Sequence, residues 1–247
     1  MGFIEAIGSY RKNLSTAFSF AILLVFVLPF VWLSNTIVSS GTTMIDYGFL
    51  RDNPIDSLLL LLTALLFLYF YSLFVCLIVF SVRRDLSEVR VSHFLNEKIH
   101  AHALKYFVFL SAFTIIGAVL SAILVSYGVP PIWLNLVIFL VSSSFLFLSQ
   151  TIVVDEESLG ASVASNWDFI SRHPRDFLAV MLFGIVSVFA LQLVEFMIDY
   201  VVLVGNFVSL FIGLVFLVPF IEVLKTRIYM ERFSLIKNYH SPPGSLR

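Results

Sequence analysis

Acidic and small residues recur at helical spacing toward the end of one apolar segment. One helix face carries Gly184, Ser187, Leu191, Glu195 and Asp199, and Gln192 lies beside Glu195. Carboxylates inside a membrane are costly, and they commonly mark ion pathways or proton relays. The pattern therefore predicts a cation or proton site whose polar groups are Gln192, Glu195 and Asp199.

Two interpretations of this acidic stripe stay open. In the first, Asp46, Asp52 and Asp56 join the stripe on the same side of the membrane and complete an ion site. In the second, the two carboxylates near the membrane edge are hydrated or paired. Arg51 is the only basic residue expected on that side, so it is the predicted partner of the stripe.

Other polar residues are interpreted as structural. Glu222 lies three residues before Lys225, which favours a local pair with a snorkelling lysine. The serines at 142–144 and Ser149 are interpreted as helix-packing residues, because small hydroxyls in a span usually serve packing. Pro219 predicts a kink in the last apolar segment. No catalytic nucleophile is expected, and the chain is interpreted as non-enzymatic.

Three histidines lie on one charged segment, but they do not predict a metal site. His93 and His100 are seven residues apart and share a helix face, whereas His102 points elsewhere. A metal ion usually needs three or four convergent ligands, and Glu97 is the only clear addition. No metal ion and no cofactor are therefore expected.

Composition excludes an ordinary water-soluble domain. Apolar residues make up 60% of the 247 residues and charged residues only 13%, and the mean hydropathy is +0.99. Soluble domains contain roughly half apolar and a quarter charged residues. Apolar runs of about 20 residues match the thickness of a bilayer. The sequence predicts an all-α polytopic membrane protein with spans at about 16–38, 57–82, 106–127, 132–154, 177–204 and 207–230.

The basic residues fix the direction of these predicted spans. Fourteen of the 15 Lys and Arg residues fall in alternate gaps between the apolar runs, and Arg51 is the exception. An excess of Lys and Arg marks cytoplasmic loops. The pattern predicts a multi-pass protein of the cell (inner or cytoplasmic) membrane with both termini in the cytoplasm.

The predicted spans divide into three parallel hairpins, each preceded by a cytoplasmic amphipathic helix. The repeat-like units are 1–82, 84–154 and 156–238 within one membrane domain, and 239–247 is expected to be a flexible tail. The amphipathic segments are 2–13, 86–104 and 158–171. The second carries both signs of charge, so Arg83, Arg84, Arg90 and Lys98 are candidates for contact with a partner or with lipid headgroups.

Three segments carry a family resemblance: 151–155 (TIVVD), 158–165 (SLGASVAS) and 171–174 (SRHP). With the span layout, they resemble a loose family of uncharacterised six-span membrane proteins from prokaryotes, largely archaea. The membrane domain of glycerophosphodiester phosphodiesterases looks similar. The resemblance implies a helical membrane bundle. The soluble catalytic barrel of those enzymes has no counterpart here, so their hydrolysis and their site residues are not transferred.

Function is expected in one of two classes; a third, a membrane-embedded enzyme acting on lipid, would need convergent polar residues at one depth, and the sequence does not show them. The first is a non-enzymatic accessory, scaffold or assembly component of the membrane, favoured by the many packing residues. The alternative is a transporter or channel for a cation or small solute that uses the acidic stripe. Membrane lipids are the expected partners, with a second membrane protein or further copies of this chain, and no nucleic acid.

Overall fold

Helices dominate the computed structural model, which describes residues 2–27, 37–39, 42–44, 54–87, 95–202 and 204–233. The helices are α1 (Gly2–Lys12), α2 (Leu14–Val27, with a 3₁₀ turn at Ser19–Ile22), α3 (Pro54–Leu86), α4 (Leu95–Ser126), α5 (Pro131–Ser143), α6 (Leu148–Val154), α7 (Leu159–Arg172), α8 (Pro174–Val202), α9 (Gly205–Ile212) and α10 (Val218–Arg232). A π-helical turn at Gly213–Leu217 joins α9 to α10. Two short antiparallel strands, β1 (Ile37–Ser39) and β2 (Thr42–Met44), precede α3.

Within the described residues, five helical segments are long and apolar enough to cross a membrane. They are Leu58–Leu86, Lys98–Ser121, Trp133–Val154, Pro174–Val202 and Gly205–Arg232. The first predicted span, 16–38, is described only in part: its helix α2 covers 14 residues, Leu14–Val27. The prediction of a multi-pass helical membrane protein is confirmed at the level of these five segments.

Helices α3, α6 and α10 form the centre of the bundle. Each contacts the other two, and α1 and α2 pack against α10 and α3. Their buried side chains include Val75, Ile78, Leu148, Ile152 and Tyr229. Because lipid tails are as apolar as these side chains, close van der Waals packing rather than removal from water holds such a core together in a bilayer.

Helices α4 and α8 lie at the periphery and expose apolar side chains. Only 11% of the apolar window of each is buried, against 44% in α3. Ile116 on α4 and Leu193 on α8 are more than half exposed. Apolar patches of this extent are rare on soluble monomers, so a lipid environment accounts for these two faces.

Two of the three predicted amphipathic segments form separate helices, and one does not. Helices α1 and α7 match the predictions at 2–13 and 158–171 within one residue. The segment 95–104 is instead the first part of α4, which runs without a break to Ser126. It contains no glycine or proline to stop the helix, and Ile99 and Ala103 are buried in the bundle.

The contacts between helices do not confirm the predicted hairpins as a set, although α8 and α9 of the third hairpin pack closely together. Helix α3 packs most closely against α4, its neighbour in the next predicted unit, whereas α4 and α5 meet over only a short stretch. The turn between α4 and α5 contains Gly128 with φ of +80°, a left-handed conformation that favours glycine.

Candidate functional site

The membrane-length segment Trp133–Val154 is not a continuous helix. Helix α5 ends at Ser143 and α6 begins at Leu148, and the four residues between them form turns. In these turns Phe145 and Leu146 donate their backbone N–H groups three residues back, to the carbonyl oxygens of Ser142 and Ser143. Irregular backbone at membrane depth must be satisfied by other protein groups. We call residues 144–147 the break.

Two side chains from other helices satisfy the backbone of the break. Asn166 on α7 accepts a hydrogen bond from the N–H of Phe147 over 3.0 Å and donates to the carbonyl oxygen of Ser144 over 2.8 Å. Lys225 on α10 donates to the carbonyl oxygen of Leu146 over 2.9 Å. The break is therefore built into the fold by specific polar partners, and Asn166 is fully buried.

A second irregularity lies in the segment that carries Lys225. The π-helical turn Gly213–Leu217 precedes α10, and Pro219 follows it at the start of that helix. Single π turns inside α-helices are rare and occur frequently at functional sites. The predicted kink at Pro219 coincides with this change of helix type.

A buried ion pair lies between the break and the centre of the bundle. Lys225 Nζ is 2.7 Å from Glu222 Oε1, and the two side chains are only 6% and 5% exposed. The other carboxylate oxygen of Glu222 accepts from Gln150 Nε2 over 3.0 Å and lies 3.0 Å from Ser149 Oγ. The predicted local pair is present, but Lys225 does not snorkel: its ammonium points into the protein.

These elements line a partly open cavity of about 320 Å³. Its walls come from α3, α4, the α5–break segment and α10, with Tyr71, Tyr106, Phe109, Phe113, Ser142, Phe145, Leu146, Ile221, Glu222 and Lys225 among the lining residues. The ring centroids of Phe109 and Phe145 are 4.9 Å apart, and Phe113 lies 6.1 Å from Phe145. The side chains of the ion pair thus line a cavity whose other walls are largely aromatic, and we call it the aromatic cavity.

The aromatic cavity offers more hydrogen-bond donors than acceptors. Within the described part of the chain, the hydroxyls of Tyr71 and Tyr106 make no hydrogen bond, and the Lys225 ammonium uses two of its three donors. The charges of Glu222 and Lys225 balance. Because a net charge is costly to bury, the site suits an uncharged molecule with acceptor oxygens and an apolar or aromatic body.

A larger apolar cavity of about 490 Å³ lies on the other side of the same wall. It is lined by α5, α8 and the π turn, including Phe139, Ser143, Gly184, Leu191 and Gly213, and it shares Leu146, Val218 and Ile221 with the aromatic cavity. Gly184 and Leu191 of the predicted acidic stripe face this apolar space.

The end of the bundle below the aromatic cavity is closed by an acidic loop, residues 155–157. Glu156 forms ion pairs with Arg83 of α3 at 2.9 Å and with Lys98 of α4 at 2.7 Å. Lys105 donates a hydrogen bond to the backbone carbonyl of Glu157. Tyr229 of α10 donates to Asp155. Four membrane-length segments therefore meet at this loop. We call this end of the bundle the basic end, after the Lys and Arg residues that lie there.

The two carboxyl groups of the acidic loop have opposite pKa shifts. The hydrogen bond from Lys98 holds the pKa of Glu156 below its usual value, and Arg83 adds to the effect. Burial raises the pKa of Asp155, although the hydrogen bond from Tyr229 acts in the other direction. Glu156 is thus a charged cross-link, whereas Asp155 resists ionisation.

The predicted site residues on α8 hold a tight helix–helix turn. Glu195 accepts from Ser209 Oγ over 2.8 Å, and Asp199 accepts from the N–H of Gly205 over 2.6 Å. Gln192 is exposed. Arg51, Asp46 and Asp52 lie outside the described residues, as does the side chain of Asp56. The ion-site role of the stripe stays a prediction.

The predicted lipid- or partner-contact residues separate into two groups. Arg83 and Lys98 are both paired with Glu156, so one carboxylate offsets part of their combined charge within the protein. Arg84 is exposed, and Arg90 lies outside the described residues. Across the part of the chain that the structure describes, no three His, Cys, Asp or Glu side chains converge as a metal ion requires.

The sequence interpretation did not place Ser149, Gln150, Glu222 and Lys225 in one site. Ser149, Glu222 and Lys225 each looked structural when taken on its own segment, and Gln150 was not singled out. The available signal was a polar pair three residues apart in one span, together with a Ser-Gln-Thr run at 149–151 at a similar depth in another. Comparison with known proteins adds no identity to this geometry: no protein-family model, no curated protein and no solved structure matches the chain.

Proposed function

We propose that the protein is a six-span transporter of the cell membrane that binds a small, uncharged, partly apolar solute in the aromatic cavity. One observation carries the proposal: a break in a membrane-length segment is held by a buried Glu222–Lys225 pair that lines a cavity, and a π turn lies earlier in the segment that carries the pair. Broken helices at membrane depth build the substrate sites of many transporters. The site differs from the acidic stripe predicted from sequence.

The six-span topology is supported by where the ends of the first apolar segment lie. Helix α2 starts beside Asn13, whose side chain donates to Asp85 at the basic end over 2.8 Å. Strand β1 packs on α9, near the turn at the opposite end of the bundle. These two positions support a first crossing between α2 and β1, in addition to the five described segments. The excess of Lys and Arg favours cytoplasmic termini.

A single-cysteine experiment tests the transport proposal. In a Cys76→Ala background, Ser142→Cys places a thiol in the wall of the aromatic cavity, and Ser143→Cys places one in the wall of the apolar cavity. The two serines are neighbours, and both donate to the carbonyl oxygen of Phe139. The pair is therefore matched in helix, depth and local bonding.

We expect a membrane-impermeant, charged methanethiosulfonate reagent to modify Ser142→Cys in reconstituted vesicles from either face, and to modify Ser143→Cys much more slowly. Alternate opening to both faces is what a transporter requires, whereas an aromatic cavity that serves packing alone does not open to both faces. If Ser142→Cys resists the reagent from both faces, the transport proposal is wrong.

A second candidate, the accessory or assembly component, is favoured by Trp167. Its ring lies 6.3 Å from Phe145 in the cavity wall, and its side chain is 52% exposed on α7. A protein docked on α7 would therefore touch the wall of the aromatic cavity. Native mass spectrometry of protein extracted gently from its own membrane tests this: a retained second polypeptide that is lost in Trp167→Ala supports it, and a bare chain contradicts it.

A further inference from the structure

Three exposed cations gather at one corner of the basic end. Arg11 and Lys12 close α1, and Arg84 lies near the end of α3. The next residues along the chain, Asn13 and Asp85, are joined by the hydrogen bond of 2.8 Å that ties α1 to α3. A bond from Ser81 to Asn13 strengthens this junction. The three cations therefore flank a fixed point of the fold.

These three cations have no acidic partner among the described residues. Most other basic side chains at this end are paired: Arg83 and Lys98 with Glu156, Arg172 with Asp168, Arg227 with Glu5 and Arg232 with Asp176. Asp85 is the one described carboxylate at the junction, and it accepts from Asn13. Among the described residues, the corner thus carries a net positive charge.

An exposed apolar stripe begins next to this corner, two residues after Lys12, and runs along α2 away from the basic end. Leu14, Phe18, Ile22 and Val25 on α2 are between 37% and 61% exposed, and their spacing of four, four and three places them on one helix face. The stripe is about 16 Å long at 1.5 Å per residue. That is about half of the 30 Å hydrocarbon core, which is the depth of one leaflet.

We propose that Arg11, Lys12 and Arg84 bind the phosphate headgroup of an anionic phospholipid whose acyl chain lies along the stripe from Leu14 to Val25. The charges account for the headgroup, because juxtamembrane Lys and Arg attract anionic lipids. The apolar stripe favours a lipid over a free phosphate ion, because only a lipid has an acyl chain that gains binding energy from contact with it. This site is independent of the aromatic cavity and stands whether or not the protein transports a solute.

Lipid titration followed by native mass spectrometry tests the proposal on the full chain in detergent. Phosphatidylglycerol and phosphatidylcholine with identical acyl chains are compared. We expect phosphatidylglycerol to bind about tenfold more tightly, and the triple variant Arg11→Gln, Lys12→Gln, Arg84→Gln to lose this preference. Equal binding of the two lipids to the unmodified protein overturns the proposal without any variant.

Two further variants separate a specific site from general positive charge. Arg11→Lys with Arg84→Lys keeps the charges and should keep the preference. Arg172→Gln with Arg175→Gln removes two exposed cations of the same end outside the corner, and should keep it as well. Loss of the preference in this second control, or its retention in the triple variant, contradicts the assignment. Competition by millimolar inorganic phosphate alone would show a free-anion site instead.

Discussion

The ammonium group of Lys225 donates to the carbonyl oxygen of Leu146 over 2.9 Å while it pairs with Glu222 at 2.7 Å. One side chain therefore closes an open backbone group in the break and balances the buried carboxylate. Since the Lys225 stem starts on α10 and Leu146 lies between α5 and α6, this contact also sets the distance between two walls of the aromatic cavity.

Replacing Lys225 by methionine should destabilise the protein strongly. Glu222 is left buried without its cation, and the Leu146 carbonyl loses its donor. Removal of one partner from a buried pair typically costs about 3–5 kcal/mol. A lower melting temperature in detergent checks this. The double variant Glu222→Gln, Lys225→Met removes the unpaired charge and should recover part of the loss, whereas equal melting of single variant and unmodified protein would contradict the role of the pair.

Asn166→Leu should loosen the break without altering α10. The change keeps the volume but leaves the Phe147 N–H and the Ser144 carbonyl oxygen without their partner, at a cost of about 1–3 kcal/mol for a buried group. Hydrogen exchange at the Phe147 amide should become faster, and the melting temperature should fall. Ser171→Ala on the same helix is the control: its exposed hydroxyl bonds only to Asp168 of its own helix, so a change within about 0.5 kcal/mol is expected.

The membrane class and the helical segments were predictable because they depend on local patterns. Apolar runs of bilayer length need no partner to be recognised, and α7 was readable from the spacing of Leu159, Val163, Trp167 and Ile170. The long helix α4 was divided in two because its polar first part, near Lys98, looked like a surface helix. The pairing of Lys98 with Glu156 explains why that part stays within the bundle.

The aromatic cavity was not predictable for the opposite reason. Gln150 and Glu222 are 72 positions apart, and their hydrogen bond of 3.0 Å exists only after the helices pack. The break itself depends on Asn166, which lies on another helix. A polar residue that supports distant backbone has the same local pattern as one that faces solvent, so sequence periodicity does not distinguish the two.

Asp155→Asn should be at least as stable as the unmodified protein at neutral pH. Burial raises the pKa of Asp155, so the protonated form is favoured in the folded state. Its contribution to stability is present in acid and is lost as the pH rises through the folded-state pKa. Asparagine keeps an acceptor for Tyr229 and cannot ionise. Melting temperatures measured against pH should show an advantage for the variant at neutral pH that disappears below about pH 4.

Glu156→Gln should show the opposite dependence. The pKa of Glu156 is lowered from its ordinary 4.5, so its contribution is present above that value and is lost as the pH falls through the folded-state pKa. The variant should melt at a lower temperature than the unmodified protein at neutral pH. In acid the two melting curves should converge. A neutral-pH melting temperature equal to that of the unmodified protein would show that the cross-link to Arg83 and Lys98 adds no stability.

Gly205→Ala should disrupt the turn between α8 and α9. An added Cβ would lie 2.3 Å from the backbone oxygen of Glu195 and 2.9 Å from the Asp199 carboxylate carbon. The first of these atoms belongs to helix backbone, so it cannot move aside without bending α8. The hydrogen bond from Gly205 to Asp199 would then lengthen. Expression and melting temperature in detergent measure the effect.

Gly117→Ala is the matched control for this glycine. Gly117 lies inside α4, and an added Cβ there meets no atom within 4 Å. Alanine favours the helix over glycine by about 0.5–1 kcal/mol, so this variant should be unchanged or more stable. The two substitutions add the same methyl group and should move the melting temperature in opposite directions. If Gly205→Ala also melts at or above the temperature of the unmodified protein, the close contact of Gly205 with Glu195 and Asp199 is wrong. That result would favour the ion site that the acidic stripe predicts.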